Sequence, residues 1–292
     1  MRTIAIANFK GGTGKTVTAC NLAALLAREG KGVLLIDADP QHNSTDFFMD
    51  YHGELTLTEV LEGTAETVWS DNVAGTAFDR LLLLPADMGL LRLDLAALLN
   101  GSEVNDKRLF EFLSAVREDG ETDFVLIDCP PSFTAASVAA FVCCDEVILP
   151  TRADAFSRAG AMELVEQIRS LKRYHVEPRF RMLLTMSDRT RLSRQSEEHL
   201  RRAGLEMFRT VIRSSVVVGE STYARLPLYE YAPRSIAARD YEELVKEVLA
   251  SSLPGADEDG ASTPPPHRRR AEATKPGPGT VNAARSGGLG DE

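Results

Sequence analysis

The stretch Lys10-Gly11-Gly12-Thr13-Gly14-Lys15-Thr16 decides the fold, because it is a glycine-rich loop set between an apolar run and a helical pattern. The apolar run is Thr3–Asn8, and the helical pattern extends from about Thr16 to Arg28. Glycines let backbone N–H groups converge on phosphate oxygens, and the start of a helix adds a favourable partial positive charge. A strand, such a loop and a helix in succession predict a phosphate-binding loop.

Two lysines stand in this loop, where an ordinary phosphate loop needs one. Lys15 is predicted to reach the β- and γ-phosphates of a nucleotide, and the Thr16 hydroxyl is predicted to ligate Mg²⁺. Lys10, at the start of the loop, is placed where a cation could reach a nucleotide held by a second copy of the protein. The residues expected to contact the nucleotide here are Lys10, Gly11, Gly12, Thr13, Gly14, Lys15, Thr16 and Val17.

Acidic residues follow two further apolar runs. The run Leu34–Ile36 leads into Asp37 and Asp39, which point to the same side because strand side chains alternate. The run Phe124–Ile127 leads into Asp128, a pattern typical of an aspartate that supports Mg²⁺. Taken alone, each pattern also fits an ordinary strand end, which Asp and Pro favour. Together with the loop, they predict carboxylates beside the bound phosphates.

Seven apolar runs alternate with helical patterns along the chain. Several are apolar throughout, which suits strands buried on both faces of a parallel sheet. We therefore predict an α/β fold, a doubly wound and mostly parallel sheet with helices on both faces, with the ligand at the carboxyl ends of the strands. The runs are Thr3–Asn8, Gly32–Asp37, Arg80–Leu84, Asp123–Asp128, Glu146–Pro150, Arg179–Met186 and Met207–Ile212; three of the helical patterns are Asp106–Glu118, Ala159–Tyr174 and Asp240–Leu249.

Composition indicates a globular protein with a sizeable core, at 292 residues with 43% hydrophobic and 26% charged residues. No run of about 18 apolar residues occurs, so we expect no membrane span, and because the first strand begins at once we expect no signal peptide. The four cysteines have no metal-ligand spacing and are expected to be reduced core thiols of a cytoplasmic protein.

The predicted domains are one phosphate-binding α/β domain over residues 1–250 and a tail over residues 251–292. The tail is rich in Pro, Gly and charge without an apolar period, so we expect it to be disordered. Its basic cluster, Arg268–Arg270, is either a solvated charge run or a weak auxiliary contact for nucleic acid.

Charge is unevenly distributed on this acidic chain, whose formal net charge is −10. Between residues 181 and 234 there are ten arginines and six acids, so this segment carries +4. Such asymmetry permits a local basic face for nucleic acid on an acidic body. The alternative is that these arginines are solvated or paired with Glu197, Glu198 and Glu206.

In their order along residues 1–250, the motifs resemble the ParA/MinD family of P-loop ATPases with a deviant Walker A box, most closely a short ParA of the Soj type. The matching stretches are KGGTGKT (10–16), VLLIDADPQ (33–41), FVLIDCPPS (124–132), VILPTRADAFSRAGAMEL (147–164), MLLTMSDRT (182–190) and the end segment 220–249.

This resemblance implies an ATPase that uses ATP and Mg²⁺, with Lys10, Lys15 and Asp39 as catalytic residues and Thr16, Asp37 and Asp128 around the metal. A polar loop follows the apolar run at residues 182–185, and the adenine is expected there, near Met186 and Arg213. The resemblance further implies an ATP-bound homodimer in which Lys10 reaches the partner's phosphates. That dimer would bind DNA nonspecifically, as a cytoplasmic, nucleoid-associated protein, and a ParB-like centromere-binding protein would stimulate hydrolysis and release.

Some positions depart from the family pattern. Thr13 stands where valine is common, Val17 where Thr or Ser is common, and His42 where glycine follows the DPQ triplet. Arg213 is not preceded by the usual proline, and Ser221–Leu226 differs from the A-P-S-Y-G-K run. These last two departures bear on the base contacts and the dimer rim, whereas the phosphate loop keeps every required group.

Other members of this class remain alternatives. A ParA-like ATPase that positions a protein cargo would have the same core. A membrane-surface ATPase like MinD would need a terminal amphipathic helix, and residues 284–292 are glycine-rich and end in Asp-Glu. An ATP-dependent electron donor would need cysteines placed to hold an iron–sulfur cluster.

Overall fold

A computed structural model describes residues 1–50, 55–64, 68–100, 107–171, 177–188, 190–202 and 204–251 of the chain. The predicted tail therefore lies outside the described residues, apart from Ser251, as do Arg189 and the ends of two predicted helices at Asp106 and Tyr174. All described residues fall in one unit, Met1–Leu253.

Eight strands in the described chain form one sheet, in the order β3-β4-β2-β5-β1-β6-β7-β8. All neighbouring strands are parallel except the short pair β3–β4, which is antiparallel. The predicted α/β fold with a mostly parallel sheet is confirmed, and the sequence missed only the two-residue β3. The strands are β1 Arg2–Ile6, β2 Val33–Asp37, β3 Ala74–Gly75, β4 Leu81–Leu84, β5 Phe124–Asp128, β6 Glu146–Arg152, β7 Arg179–Ser187 and β8 Glu206–Arg213.

Helices connect the strands, and their order follows the alternation predicted from the sequence. Within the described residues they are α1 Lys15–Arg28, α2 Asn43–Phe48, α3 Leu57–Glu62, α4 Leu90–Asn100, α5 Lys107–Asp119, α6 Ala135–Cys143, α7 Ala155–Ser170, α8 Arg191–Arg201, α9 Val216–Ala224, α10 Leu228–Tyr231 and α11 Ile236–Ala250. A 3₁₀ turn covers Trp69–Asn72. None of the helices in this part of the chain has the length and apolar character that a membrane span requires.

Successive residues of the central strands pack into two separate cores, one on each face of the sheet. On β2, Leu34 and Ile36 belong to the core covered by α3, α5, α6 and α7, while Val33 and Leu35 belong to the core covered by α1, α2 and α11. Burial of every residue in β1, β2 and β5 explains why these runs are mostly apolar, with polar residues only at the start of β1 (Arg2, Thr3) and at the ends of β2 and β5 (Asp37, Asp128).

Strand register brings the sequence motifs to one edge of the sheet. Asp37 at the end of β2 is paired with Asp128 at the end of β5, and Ile6 at the end of β1 is also paired with Asp128. Because these strands are parallel, the loop that follows β1 starts beside both carboxylates. This is the edge at which ligands bind in open α/β sheets.

The opposite edge of the sheet holds a buried ion cluster. Glu146 at the start of β6 lies between Arg2 and Arg181, with which it forms ion pairs, and it is fully buried. Arg2 also donates hydrogen bonds to the carbonyl oxygens of Val248 (2.9 Å) and Ser251 (3.0 Å). The cluster thus ties the first strand to the end of α11, and Ser251, assigned to the tail by composition, takes part in it.

Candidate nucleotide-binding site

The glycine-rich loop has the backbone that a phosphate cradle requires. Gly12 has φ 70° and Gly14 has φ 87°, both in the left-handed region that glycine adopts at little cost. Gly14 is the N-cap residue of α1 and receives no side-chain cap, so the first N–H groups of this 14-residue helix stay available to an anion. An added Cβ at Gly11 or Gly12 would meet no atom within 4 Å, which indicates an open cradle.

Lys15, the first residue of α1, lies at the base of this cradle. Its ammonium donates a hydrogen bond to the Lys10 carbonyl oxygen at 3.3 Å, and the residue is only 8% exposed. Burial lowers the pKa of Lys15, while the negative charges of Asp128 and Asp39 act in the opposite direction. A desolvated cation beside open backbone N–H groups favours the binding of a phosphate.

Asp37 and Asp128 lie side by side at the ends of β2 and β5, and both are buried. Asp37 accepts hydrogen bonds from the Thr45 N–H (2.8 Å) and hydroxyl (2.9 Å), and Asp128 accepts one from the Ser44 hydroxyl (2.6 Å). Burial, and for Asp37 the nearby Asp128, raise the pKa of Asp37 to about 8 and that of Asp128 to about 6.

The donor set at this position fits a Mg²⁺ ion. Asp128 Oδ1 is buried and has no hydrogen-bond partner among the described residues. Two buried carboxylates repel one another, and a divalent cation relieves both that repulsion and the unsatisfied oxygen. Thr16 is close enough for its hydroxyl to lower the pKa of Asp128 against the effect of burial. Thr16, Asp37 and Asp128, which the sequence assigned to the metal, therefore meet at one place.

Asp39 lies just beyond the end of β2, with 8% exposure. Its N–H donates to Asp37 Oδ1 at 3.1 Å, and its own carboxylate accepts from the Gln41 N–H at 2.9 Å. These two contacts fix the turn in which Asp39 sits, directly after the strand that ends in Asp37. His42, which replaces a family glycine, adopts φ 44°, so this position keeps the left-handed backbone without a glycine.

Lys10 is held from the side of β6. Its ammonium forms an ion pair with Asp154 at 2.8 Å, and its N–H donates to Asn8 Oδ1 at 3.0 Å. Asn8 is fully buried and donates to the Pro150 carbonyl oxygen at 2.8 Å. Within the single subunit, Lys10 is therefore turned toward Asp154, whereas Lys15 is turned toward the loop.

The predicted base contacts flank the ends of β7 and β8. Met186 has φ 51° and is 40% exposed, and its Cε would lie 3.8 Å from a Cβ at Gly14, so this side chain borders the phosphate loop. Arg213 lines a cavity of about 660 Å³ together with Ser187, Asp188, Arg194, Glu197, Val211, Ser214, Ile236 and Asp240. The Ser214 N–H donates to the Ser187 carbonyl oxygen at 2.8 Å, which joins the two strand ends.

Arg213 is already engaged inside this cavity. Its Nε donates to both oxygens of Asp240 at 2.9 and 3.1 Å, its terminal nitrogen also bonds Asp240, and its N–H donates to the same carboxylate at 2.9 Å. Asp240 lies on α11, so this helix fixes how the arginine faces the cavity.

The arginines of the segment 181–234 divide into two groups in the structure. Arg181 is 2% exposed, and since its guanidinium is committed to Glu146 it does not belong to a basic surface. Ion pairs also engage four others: Arg201 with Glu197, Arg202 with Glu198, Arg213 with Asp240 and Arg225 with Asp50. Arg194, Arg209 and Arg234 are exposed.

Several residues that complete the site were not singled out from the sequence. Ser44 and Thr45 hold the two buried carboxylates, Asp154 holds Lys10, and Asp240 holds Arg213. Ser44 and Thr45 follow the Asp37–Gln41 turn and begin a short helix, and that proximity was the available signal. Asp154 and Asp240 are distant in sequence from their partners, and nothing in the local pattern marks them.

Strand, cradle and helix at the carboxyl edge of a parallel sheet, with buried acids on the adjacent strands, define the class of P-loop nucleotide-binding proteins. Comparison with known families agrees: the family described as "AAA domain" matches residues 1–182. Among curated relatives, "Chromosome partitioning protein ParA" of Caulobacter vibrioides is 36% identical over 257 residues, covering 86% of this chain and 94% of the relative. "Chromosome-partitioning ATPase Soj" of Thermus thermophilus is 36% identical, covering 86% and 96%.

Solved structures lead to the same family. The Cyanothece McdA(D38A)–ATP complex has a TM-score of 0.74 at 25% identity, covering 85% of this chain and 96% of the other. MinD of Pyrococcus horikoshii, complexed with Mg-ADP, has a TM-score of 0.67 at 25% identity, covering 85% and 95%. The chain belongs to the ParA/MinD family of P-loop ATPases. It is an ATPase of the ParA type, and its cofactors are ATP and Mg²⁺.

Proposed function

We propose that this ATPase is a nucleotide-switched carrier for DNA partitioning. The ATP-bound form is a homodimer that binds DNA without sequence specificity, and a ParB-like partner stimulates hydrolysis and releases it. The observation that carries the proposal is the second lysine of the loop: the Lys10 ammonium pairs with Asp154 after β6, whereas the Lys15 ammonium bonds a carbonyl oxygen of the loop itself. Relatives named as chromosome-partitioning proteins over 86% of the chain support it.

Different residues at the phosphate loop are proposed to bind the phosphates, to hold Mg²⁺ and to orient the attacking water. Lys15 and the N–H groups of the loop bind the phosphates, because burial removes the competing water around that ammonium. Thr16, Asp37 and Asp128 would hold Mg²⁺, which neutralises developing phosphate charge when bound. Asp39 is proposed to orient the attacking water with the carboxylate oxygen that does not bind Gln41.

Lys10 is proposed to act in the partner's site. In the dimer, its ammonium would contact the phosphates bound by the other subunit, where it would stabilise negative charge in the transition state. ATP bound by one subunit would therefore supply the negative charge that Lys10 of the other subunit contacts, and this couples nucleotide binding to dimerisation. DNA binding by the dimer follows from placing two sets of exposed arginines on one particle, since phosphate contacts add up in affinity.

The exposed arginines Arg194, Arg209 and Arg234 are the candidate DNA contacts on each subunit. Binding through them would be insensitive to sequence and strongly dependent on salt. Such a protein would reside in the cytoplasm on the nucleoid when it carries ATP. Met186 and Arg213 are proposed to border the adenine, because Met186 lies beside Gly14 of the phosphate loop and Arg213 lines the cavity that begins at the next residue, Ser187.

The test is binding to a random-sequence DNA duplex with ATP, with ADP and without nucleotide, across a salt series. We expect binding only with ATP, and an affinity that falls steeply as salt rises. Arg209→Ala and Arg234→Ala should weaken binding without changing ATP hydrolysis, whereas Arg169→Ala, an exposed arginine of α7 paired with Glu166, is the matched control. ATP hydrolysis without DNA binding under any condition would refute the DNA-carrier function.

Two variants test the assignment of roles within the dimer. Lys10→Ala should bind ATP as a monomer and fail to dimerise, as followed by light scattering, and DNA binding should be lost with it. Asp39→Ala should form a stable ATP-bound dimer that keeps DNA and hydrolyses slowly. Unchanged turnover in Asp39→Ala would mean that another residue orients the water.

A ParA-like ATPase that positions a protein cargo is the second candidate. The observation that favours it is the pairing of the arginines: of the eight in the segment 181–234 whose side chains the structure describes, five form ion pairs within the subunit. A partner protein would then replace DNA as the surface on which the dimer acts. The DNA-binding series separates the two functions, because only the first requires salt-sensitive DNA affinity.

A further inference from the structure

The ion pair between Lys10 and Asp154 lies within one subunit. Lys10 Nζ is 2.8 Å from Asp154 Oδ1, and the two side chains are 32% and 33% exposed. The pair therefore sits at the surface of the site, where a second molecule can reach it, and is neither fully screened by water nor locked in the core.

Two further contacts fix the position of Asp154 beside Lys10. It follows β6, and its N–H donates to the Arg152 carbonyl oxygen at 2.7 Å. Arg152 Nε approaches the other carboxylate oxygen at 3.9 Å, which orients the acid further. The backbone of Lys10 is fixed from the same side through Asn8, and Gly160 of α7 packs there so closely that an added Cβ would lie 3.2 Å from Asn8 Oδ1.

We propose that Asp154 is a latch that withholds Lys10 from the partner subunit until two ATP-bound subunits meet. This inference rests on the proposed function, in which Lys10 contacts the partner's phosphates. Moving the ammonium onto a triphosphate while it still binds Asp154 would bring a carboxylate beside several phosphate charges. Because like charges disfavour that arrangement, the Asp154 contact must be broken for the dimer to close.

The expected size of the effect follows from the exposure of the pair. A partly exposed ion pair shifts an equilibrium by about two- to five-fold. Two latches open for each dimer, so the dissociation constant of the dimer should change by about 4- to 25-fold when both are removed. The latch thus sets the concentration at which ATP-bound subunits associate, without touching the nucleotide of its own subunit.

The first measurement follows Lys10 itself in the ATP-free protein. The lysine side chains, which react as unprotonated amines, are acylated with a limiting amount of an amine-reactive ester, and the extent of reaction at Lys10 is read by mass spectrometry. Asp154→Asn should raise the rate at Lys10 by about two- to five-fold, because the reactive amine is no longer held in an ion pair. Rates at the other lysines, such as Lys31 and Lys246, serve as internal references.

The second measurement is the dimer dissociation constant with Mg²⁺ and AMPPNP, from sedimentation across a concentration series. Asp154→Asn should lower it about 4- to 25-fold, while Asp154→Glu, which keeps the charge, should stay near the parent value. Glu166→Gln is the matched control, since it removes an exposed acid of α7 that pairs with Arg169 outside the site. The melting temperature and the nucleotide affinity of the monomer should not change, which a merely structural role of Asp154 would not predict.

The outcomes distinguish this inference from the proposed function. An unchanged Lys10 acylation rate in Asp154→Asn overturns the latch, and so does a dimer dissociation constant that stays the same or rises. A rise would mean that Asp154 orients Lys10 for use in the dimer. If the parent protein forms no dimer with AMPPNP while Lys10 acylation rises as expected, the ion pair restrains Lys10 but the proposed dimer, and with it the latch's role, is refuted.

Discussion

Two clusters of buried charge lie at opposite edges of the same sheet, and they are balanced in different ways. At the amino edge, Glu146 is enclosed by two arginines, and its charge is compensated within the chain. At the carboxyl edge, Asp37 and Asp128 stand together with hydroxyl and N–H donors. Among the described residues Asp128 Oδ1 has no hydrogen-bond partner, and neither do Arg2 Nε and Arg181 Nη2 at the amino edge. At the amino edge the buried acid has its countercharges within the chain, so removing one partner would destabilise the fold, whereas at the carboxyl edge two buried acids lie together where a divalent cation can neutralise them.

The largest effect on stability is expected for a substitution of Glu146. Glu146→Gln leaves the Arg2 and Arg181 guanidinium groups in the interior without a countercharge, so the free energy of unfolding should fall by about 3–5 kcal/mol. Urea denaturation measures this change. An unfolding free energy within about 1 kcal/mol of the parent would mean that solvent reaches the cluster and that the two edges differ less than the structure indicates.

Removal of a buried charge at the carboxyl edge should weaken nucleotide binding and leave the stability of the fold without nucleotide unchanged. Lys15→Ala removes a charge-assisted contact to phosphate worth about 3 kcal/mol, so ATP should bind about a hundred-fold more weakly. Isothermal titration calorimetry gives the affinity, and urea denaturation verifies that stability without nucleotide is retained. Retained ATP affinity would contradict the assignment of the loop.

An acid-to-amide replacement at Asp128 should change the free energy of unfolding in the opposite direction to Glu146→Gln. Asp128→Asn removes a buried carboxylate whose ionised form burial disfavours, so without ligand the free energy of unfolding near neutral pH should rise by about 1–2 kcal/mol. Its cost should appear in catalysis, as slower Mg²⁺-dependent ATP hydrolysis in a phosphate-release assay. A loss of stability in Asp128→Asn would show that this carboxylate is a structural element like Glu146.

The smallest effect on stability is expected where Arg2 contacts Ser251, just after the end of α11. Truncation after Leu253 keeps the Ser251 oxygens that accept from Arg2, so stability should stay within about 0.5 kcal/mol of the full chain. Truncation after Ala250 removes those acceptors and should cost about 1–2 kcal/mol. Thermal unfolding of the two shortened chains makes the comparison directly, and equal melting temperatures would assign no role to Ser251.

Local sequence was sufficient for the elements of this fold. The strands β1, β2, β4 and β5 have apolar residues at consecutive positions because both faces are buried, and so they stand out from amphipathic helices. The two-residue β3 gave no such signal, since Ala74 and Gly75 have neither length nor periodicity. Some helices begin at other residues than the sequence predicted, because a capping side chain sets the start. The pattern predicted a helix from Asp240, whereas α11 begins at Ile236, after Ser235, whose hydroxyl accepts from the Ala238 N–H at 3.1 Å.

Contacts between distant segments decided what the charged residues do. The count of ten arginines between residues 181 and 234 predicted a basic segment, but the fold buries Arg181 and pairs Arg213 with Asp240. The sequence also did not predict how the edge strand β8 is covered. Glu247 of α11 accepts hydrogen bonds from the N–H groups of Arg209 and Thr210 on β8, at 2.8 and 3.0 Å. An exposed strand edge is thereby covered, and one acid of the helix is used for it.

The sequence by itself determined the sheet, the phosphate loop and the family, because glycine geometry, apolar periodicity and the order of short motifs are local properties. Only the tertiary structure decided that Asp37 and Asp128 share one unsatisfied site, that Glu146 is neutralised by Arg2 and Arg181, and that Asp154 holds Lys10. Partners 144 residues apart, as Arg2 and Glu146 or Lys10 and Asp154 are, meet only when neighbouring strands pair. Electrostatic energy depends on that distance in space and on burial, neither of which the order of residues along the chain specifies.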